Sequence, residues 1–371
     1  MVERGIDLLL VTSPENMNYL VGYDAWSFYT HQVAMVSLET ELPIWVGRGI
    51  DLPCAKYTAI LPDANLIGYP DAFVQASDRH EMAFVAEVIE SHGWSTQRIG
   101  TESDSYYFTA RCLDVLRTAL PDAKFSDATG LVNWVRIVKS HRELELIREA
   151  GEIADSAMAA AYDAISPGVR QCDAAAAILY RQAAGTPRFG GDVPGGVVIA
   201  SGDRVDAPHL AWTEEPFMAG EQSNLELGGC RRRYHAGLAR SLMLGAPGAS
   251  QVDLAKVVVD AMGTTLGAVA PGRVSEDIYA VWDREISRRG YSKSSRIGYS
   301  IGLGYPPDWG EHTLSVRPGD RTELQSGMVL HLIFGMWAQP TSFVISETIE
   351  VTETGHASVS RFPRELLVKT A

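Results

Sequence analysis

The sequence predicts an α/β (α+β) chain of two domains, the second internally duplicated. Strand-like and helix-like segments alternate over roughly the first 130 residues. A capping-box pattern, Ser140 with Glu143, then opens a long helical stripe. Finally, "ISPGVRQCD" (165–173) is echoed by "VAPGRVSED" (269–277), each after one long helix and before another. A chain of 371 residues accommodates about two domains of ~150 residues. The boundary falls before Ser140, giving 1–138 and 139–371.

In the first domain, "IDLLLVTS", "HQVAMVSLE" and "LPIWVGR" read as buried strands, being short apolar runs between turn residues. "RHEMAFVAEVIESHGW" reads as a helix. Phe84, Val85, Val88 and Ile89 recur at helical spacing and Gly93 ends the run. "RIGTES" continues as a strand and "YYFTARCLDVLRTALP" as a helix. In the second domain, Leu144, Ile147, Ile153, Ala154, Ala157 and Met158 make the stripe of a long helix. "AAAAILYRQA" and "IYAVWDREISRRG" are the helices that follow the two Pro-Gly turns. "GGVVIASG", "SNLELGG", "YHAGLARSLML", "GMVLHLIFGMW" and "FVISETIEV" are strands.

Net charge of −14 and a pI near 5.1 exclude a basic nucleic-acid face. They suit a cationic or zwitterionic small substrate. No apolar run reaches the ~18 residues needed to span a bilayer, so no membrane partner is expected. "MVERGIDLLLVT" reads as a strand, not a leader, because Asp7 interrupts a short apolar segment. Cys54, Cys112, Cys172 and Cys230 lack C-x-x-C spacing and read as reduced core thiols of a cytoplasmic protein.

Several blocks then fall in one order and spacing: "RIVKSHRELELIREA", "SGDRVDAPH", "LELGGCRRRYHAGLARSLMLG", "GYSIGLGYPPDWGE", "LQSGMVLHLIFGMW" and "ISETIEVTETG". Through them the chain resembles the creatinase and aminopeptidase P family over nearly its whole length. The resemblance implies a creatinase-type α/β domain followed by a pita-bread domain. Metal-dependent members hold two divalent ions with two Asp, one His and two Glu. Here the first Asp position carries Glu226, and the second, eleven residues on, carries Gly237. The His position carries Tyr299 and the first Glu position Ile333. The last carries Ser346, or Glu347 with a one-residue shift. At most two carboxylates remain, too few for a hard divalent ion, so neither a metal nor another cofactor is expected.

The resemblance keeps one catalytic feature: "DAPH" places His209 at the family's catalytic histidine. Glu226, among Leu225, Leu227, Gly228 and Gly229, is costly to bury unless paired or used. A metal activates a neutral amide by polarising its oxygen. An amidinium or guanidinium carbon carries its own charge. The pattern therefore resembles the metal-free branch, nearest the ectoine hydrolases through "GYDAWSFYTHQ", "GYSIGLGYPPDWGE" and "ISET". It implies hydrolysis of a cyclic amidine C–N bond, with Glu226 attacking and His209 moving protons. In a variant, Glu226 stabilises the cation while His209 directs water. Glu347, Tyr299, Asp308, Trp309 and Glu311 are expected around the substrate. So are Trp26 and Tyr29, reaching across a homodimer interface, though an ordinary core cluster is the simpler reading for at least one of them. Arg231, Arg232 and Arg233 read as a solvated hairpin tip. The alternatives are a creatinase-like guanidine hydrolase and a non-catalytic binding protein of the same fold.

Overall fold

A computed structural model describes residues 1–337 and 341–370. Of the second domain expected over 139–371, residues 338–340 and 371 lie outside the described residues. The chain forms two compact units, Met1–Arg136 and Ile137–Ala371.

The first unit runs β1 (Leu8–Val11), α1 (Pro14–Val21), β2 (Val33–Ser37), β3 (Ile44–Arg48), α2 (Leu52–Thr58), β4 (Leu66–Tyr69), α3 (Glu81–Ser91), β5 (Arg98–Thr101), α4 (Ala110–Ala119), β6 (Lys124–Asp127) and α5 (Leu131–Val135). Its sheet order is β4-β3-β2-β1-β5-β6. The short β2–β3 link gives an antiparallel pair, whereas β3–α2–β4 and β5–α4–β6 cross over to parallel pairs. "LLLV" is continuously apolar because both faces of β1 are covered. Leu8 and Leu10 pack with Met35 and Val46 in one core, and Leu9 and Val11 with Ala34 and Trp45 in another. The expected helix ends at Ser91, with Gly93 just beyond at φ +77°. Its N-cap is the His80 side chain, accepting from the Met82 N–H.

The second unit opens with α6 (His141–Ala164), closed at its start by the Ser140/Glu143 capping box. Then come α7 (Gln171–Ala184), β7 (Val198–Ser201), β8 (Gln222–Arg231), β9 (Tyr234–Leu244), α8 (Ala249–Gly267) and α9 (Ser275–Ser287). The remaining strands are β10 (Gly298–Ile301), β11 (Gly310–Ser315), β12 (Val329–Ile333), β13 (Met336–Trp337), β14 (Ser342–Phe343), β15 (Ser346–Val351), β16 (His356–Ser358) and β17 (Leu367–Lys369). They make sheets β17-β9-β8-β7 and β11-β10-β12-β15-β16, with β13-β14 as a small ribbon.

The sequence echo is a structural one. Gly168 and Gly272 both turn at positive φ, +84° and +80°, between two helices. The Gly168 N–H donates to the Phe217 carbonyl and the Gly272 N–H to that of Leu324, each at 2.8 Å. In each half two helices cover one face of a sheet that is antiparallel apart from the parallel β17–β9 pair. Ala157, Ala161 and Ile178 pack on Leu225, Leu227 and Leu238 in the first half. Val258, Met262 and Trp282 pack on Leu330, Leu332 and Ile349 in the second.

Some expectations need correction. Cys112 and Cys230 are buried, but Cys54 is exposed; all four thiols are free. The Arg231–Arg233 run does turn the β8–β9 hairpin. Arg233, however, is buried over the Tyr305 ring at 4.7 Å, and Arg231 pairs with Glu149. Trp26 and Tyr29 belong to no core: they are 69% and 68% exposed, and Tyr29 accepts a hydrogen bond from Arg48. Among the described residues no helix is long and apolar enough to cross a membrane.

Candidate active site

Strand periodicity decides which side chains meet. On β8, Leu225 and Leu227 face the helices, so Glu226 points to the opposite face of the sheet. On β12, Leu330 and Leu332 face their helices, so His331 and Ile333 point away from them. Tyr299 is the cross-strand partner of His331 and shares its face. A cavity of about 500 Å³ opens on these inner faces. Glu226, His209, Tyr299, Asp308 and Trp309 all line it, together with Lys293, Arg296, Ile333 and Trp337.

Glu226 has no hydrogen-bond partner among the described residues. Desolvation alone raises its carboxyl from 4.5 to about 7. His209 lies in an exposed turn at the rim, ahead of β8. Tyr299 accepts a hydrogen bond from Trp309 Nε1 at 2.8 Å, and its hydroxyl is 3.3 Å from His331 Nδ1. Burial, then the charge of Glu226, pushes the Tyr299 hydroxyl well above its ordinary range, so it stays a neutral phenol. Trp309 fits because Gly228 has no side chain: a Cβ there would stand 2.9 Å from its ring. Asp308 is largely committed to shaping the loop. Its Oδ1 accepts from the Trp309 and Gly310 N–H groups and its Oδ2 lies 3.0 Å from His312. Burial works against the Asp308 charge, but His312 and these N–H groups prevail and hold its carboxyl below the usual value.

Four expected residues stand elsewhere. Glu347 pairs across β12–β15 with Leu332, so it faces the helix side of the sheet, away from His331 and Ile333. There it is fully buried and ion-paired with Arg240 at 2.6 Å, with Arg364 near by. It does not line the cavity. Glu311 is a strand residue, buried in an ion pair with Lys139 at 2.5 Å, and does not line the cavity either. Trp26 and Tyr29 lie in the first unit, and the cavity wall consists of second-unit residues.

The donors do not fit a divalent ion. Of the five positions a metal site of this kind would use, Glu226 alone supplies a cavity-lining carboxylate. The space a Gly237 side chain would need is filled by the His331 imidazole, whose Cε1 would be 2.6 Å from a Cβ. His331 Nε2 is 2.8 Å from Ser346 Oγ, and burial depresses the ring to a pKa of about 3, so it is a neutral plug. Among the described residues, the one group of three His, Cys, Asp or Glu ligand atoms is elsewhere: His31, His80 and Cys112 in the first unit, within 4.8 Å of one another. His80 Nδ1 is already engaged by the Met82 N–H.

Sequence reasoning missed Lys293, Arg296, His331 and Trp337. One signal was present for His331: a lone histidine in an apolar strand, two residues before Ile333 and so on the same face.

Comparison with known proteins agrees with this architecture. Residues 1–138 match the creatinase/prolidase N-terminal domain and residues 145–353 the metallopeptidase family M24. An uncharacterized hydrolase/peptidase of Sinorhizobium fredii, y4tM, is 44% identical over 100% of this chain and 94% of that relative. The ectoine hydrolase of Halomonas elongata is 38% identical over 100% of this chain and 94% of its own length. The crystal structure of the prolidase from Pyrococcus horikoshii superposes with a TM-score of 0.82 at 22% identity, over 99% of this chain and 97% of the other, a likeness of fold. The chain is a hydrolase of the M24 family, built as a creatinase-type N-terminal domain and a pita-bread domain.

Proposed function

We propose that this hydrolase opens the C–N bond of a cyclic amidine, with ectoine as substrate and N-acetyl-2,4-diaminobutyrate as product, and that it does so without a metal ion. One observation carries the reading: Glu226 is a carboxylate unpartnered among the described residues, in a cavity where Tyr299 and Ile333 stand at two other ligand positions and the His331 ring fills the space beside Gly237. A cation in the substrate relieves the desolvation of Glu226. The 38% identity to an ectoine hydrolase over the whole chain supports the same substrate.

In this mechanism the ionised Glu226 attacks the amidinium carbon and the ring C–N bond breaks, His209 giving the departing nitrogen its proton. A water activated by His209 then adds to the imidoyl carbon left on Glu226 and breaks its bond to the Glu226 oxygen, which frees the N-acetyl product. In net terms the oxygen of one water becomes the acetyl carbonyl and both its protons end on the freed amine. We place the protein in the cytoplasm as a homodimer. The test is incubation with ectoine, hydroxyectoine and creatine, with and without chelator, read by NMR for ring-opened product. Ectoine turnover indifferent to chelator is expected; turnover that chelation abolishes, or none at all, refutes the reading. Turnover of creatine alone makes the protein a guanidine hydrolase instead.

A further inference from the structure

The cavity carries two cations that the mechanism above does not use. Lys293 is only 9% exposed. Its Nζ donates to the Gly335 carbonyl at 2.8 Å and stands 4.5 Å over the Trp337 ring. Among the described residues it has no acidic partner, and burial alone lowers its pKa to about 8. An ammonium has three N–H donors, so two remain for a ligand. Arg296 stands exposed at the rim, its Nη1 donating to Ser315 Oγ at 2.9 Å and its guanidinium 4.4 Å over the Tyr299 ring. It too has no ion-pair partner among the described residues.

The acids of the same wall are Glu226 and Asp308, and the Asp308 oxygens are taken by Trp309, Gly310 and His312. The cavity therefore offers one unpartnered carboxylate and two cations without acid partners. That pattern complements a molecule with one positive and one negative group. A metal-free amidine pocket would need only the carboxylate; the cations have no role in it unless the ligand brings an anion. Leaving a buried ammonium unpaired is costly, and a ligand carboxylate offsets that cost.

The geometry points to Lys293 as the anchor of the substrate's carboxylate, with Arg296 contacting it from the rim, so that the cavity selects small zwitterions over simple cations. This rests on the reading that Glu226 receives a charged amidine.

The test is the affinity ratio between ectoine and its carboxylate-free counterpart, 2-methyl-1,4,5,6-tetrahydropyrimidine. Calorimetric titration into the full chain carrying Glu226→Gln avoids turnover. Adding Lys293→Met is expected to cut the ratio about 10- to 100-fold, the loss of a charge-assisted contact, with partial recovery in Lys293→Arg. Arg296→Gln, at an exposed position that leaves the fold intact, is expected to cut it about threefold to tenfold. Equal weakening of both ligands, or an unchanged ratio, overturns the subsite, as does the absence of any carboxylate preference before Lys293 is changed. The two readings fail separately. Lys293-dependent binding of ectoine with no turnover by the unmodified enzyme keeps the subsite and sinks the hydrolysis. Turnover of ectoine with a ratio that survives Lys293→Met does the reverse.

Discussion

Replacing Glu226 by Gln should abolish turnover and stabilise the fold at the same time, and the second effect depends on pH. The change Glu226→Gln keeps the shape of the side chain and removes its charge. Desolvation raises the Glu226 carboxyl from 4.5 to about 7 in the folded state. A raised carboxyl binds its proton more tightly in the native chain than in the unfolded one. Wild-type stability is therefore unaffected by this charge below pH 4.5, falls as pH rises from there to about 7, and is lowest above it. The full effect is up to about 3 kcal/mol at pH 8, since each tenfold gain in proton affinity on folding is worth roughly 1.4 kcal/mol. Spread over a domain of this size, that is about 6–12 °C in melting temperature. Calorimetry of both proteins at pH 5 and pH 8 is the assay. The variant should gain on wild type between those values. A melting difference that does not change with pH would falsify the electrostatic account of this residue. The same titration sets activity: Glu226 must be ionised to attack, so kcat/KM should rise with pH through a limb near 7.

His209→Asn should lower kcat by about 10²–10⁴ while shifting stability by less than about 0.5 kcal/mol, because the residue is exposed; equal loss of folding and activity by circular dichroism and kinetics would contradict a proton-transfer role. Gly237→Ala should destabilise by about 1–3 kcal/mol, since its Cβ meets the His331 ring. His331→Ala in the same chain should relieve part of that loss, and a double-mutant cycle with no coupling removes the argument that the imidazole fills the ligand's space. Glu347→Gln should cost about 3–5 kcal/mol by stranding Arg240, with KM unchanged in the protein that remains folded. A raised KM at unchanged melting temperature would return Glu347 to the substrate.

Much of this molecule was legible in its sequence. The capping box at Ser140, the period-3.6 stripe after it and the period-2 strands set the element types, because each rests on contacts within a few residues. The two Pro-Gly turns announced the duplication because only glycine takes their positive φ without strain. Glu226, His209, Tyr299, Asp308 and Trp309 were named as candidates because they fall within contiguous blocks, and all five line one cavity. Glu347 was misplaced because a single residue of register turns a strand side chain to the other face, and only the pairing with Leu332 reveals which face it takes. Glu311 was misplaced because its ion-pair partner, Lys139, lies 172 positions away in sequence. Lys293 and Arg296 sit between α9 and β10 in a stretch that looks like any polar loop. Local sequence thus determined which segments are helix or strand and which residue types stand at the candidate ligand positions. Which charges are left unpaired, and which imidazole occupies the emptied space, was decided only when the inner faces of β8, β10 and β12 came together, because desolvation and pairing depend on neighbours distant in the chain.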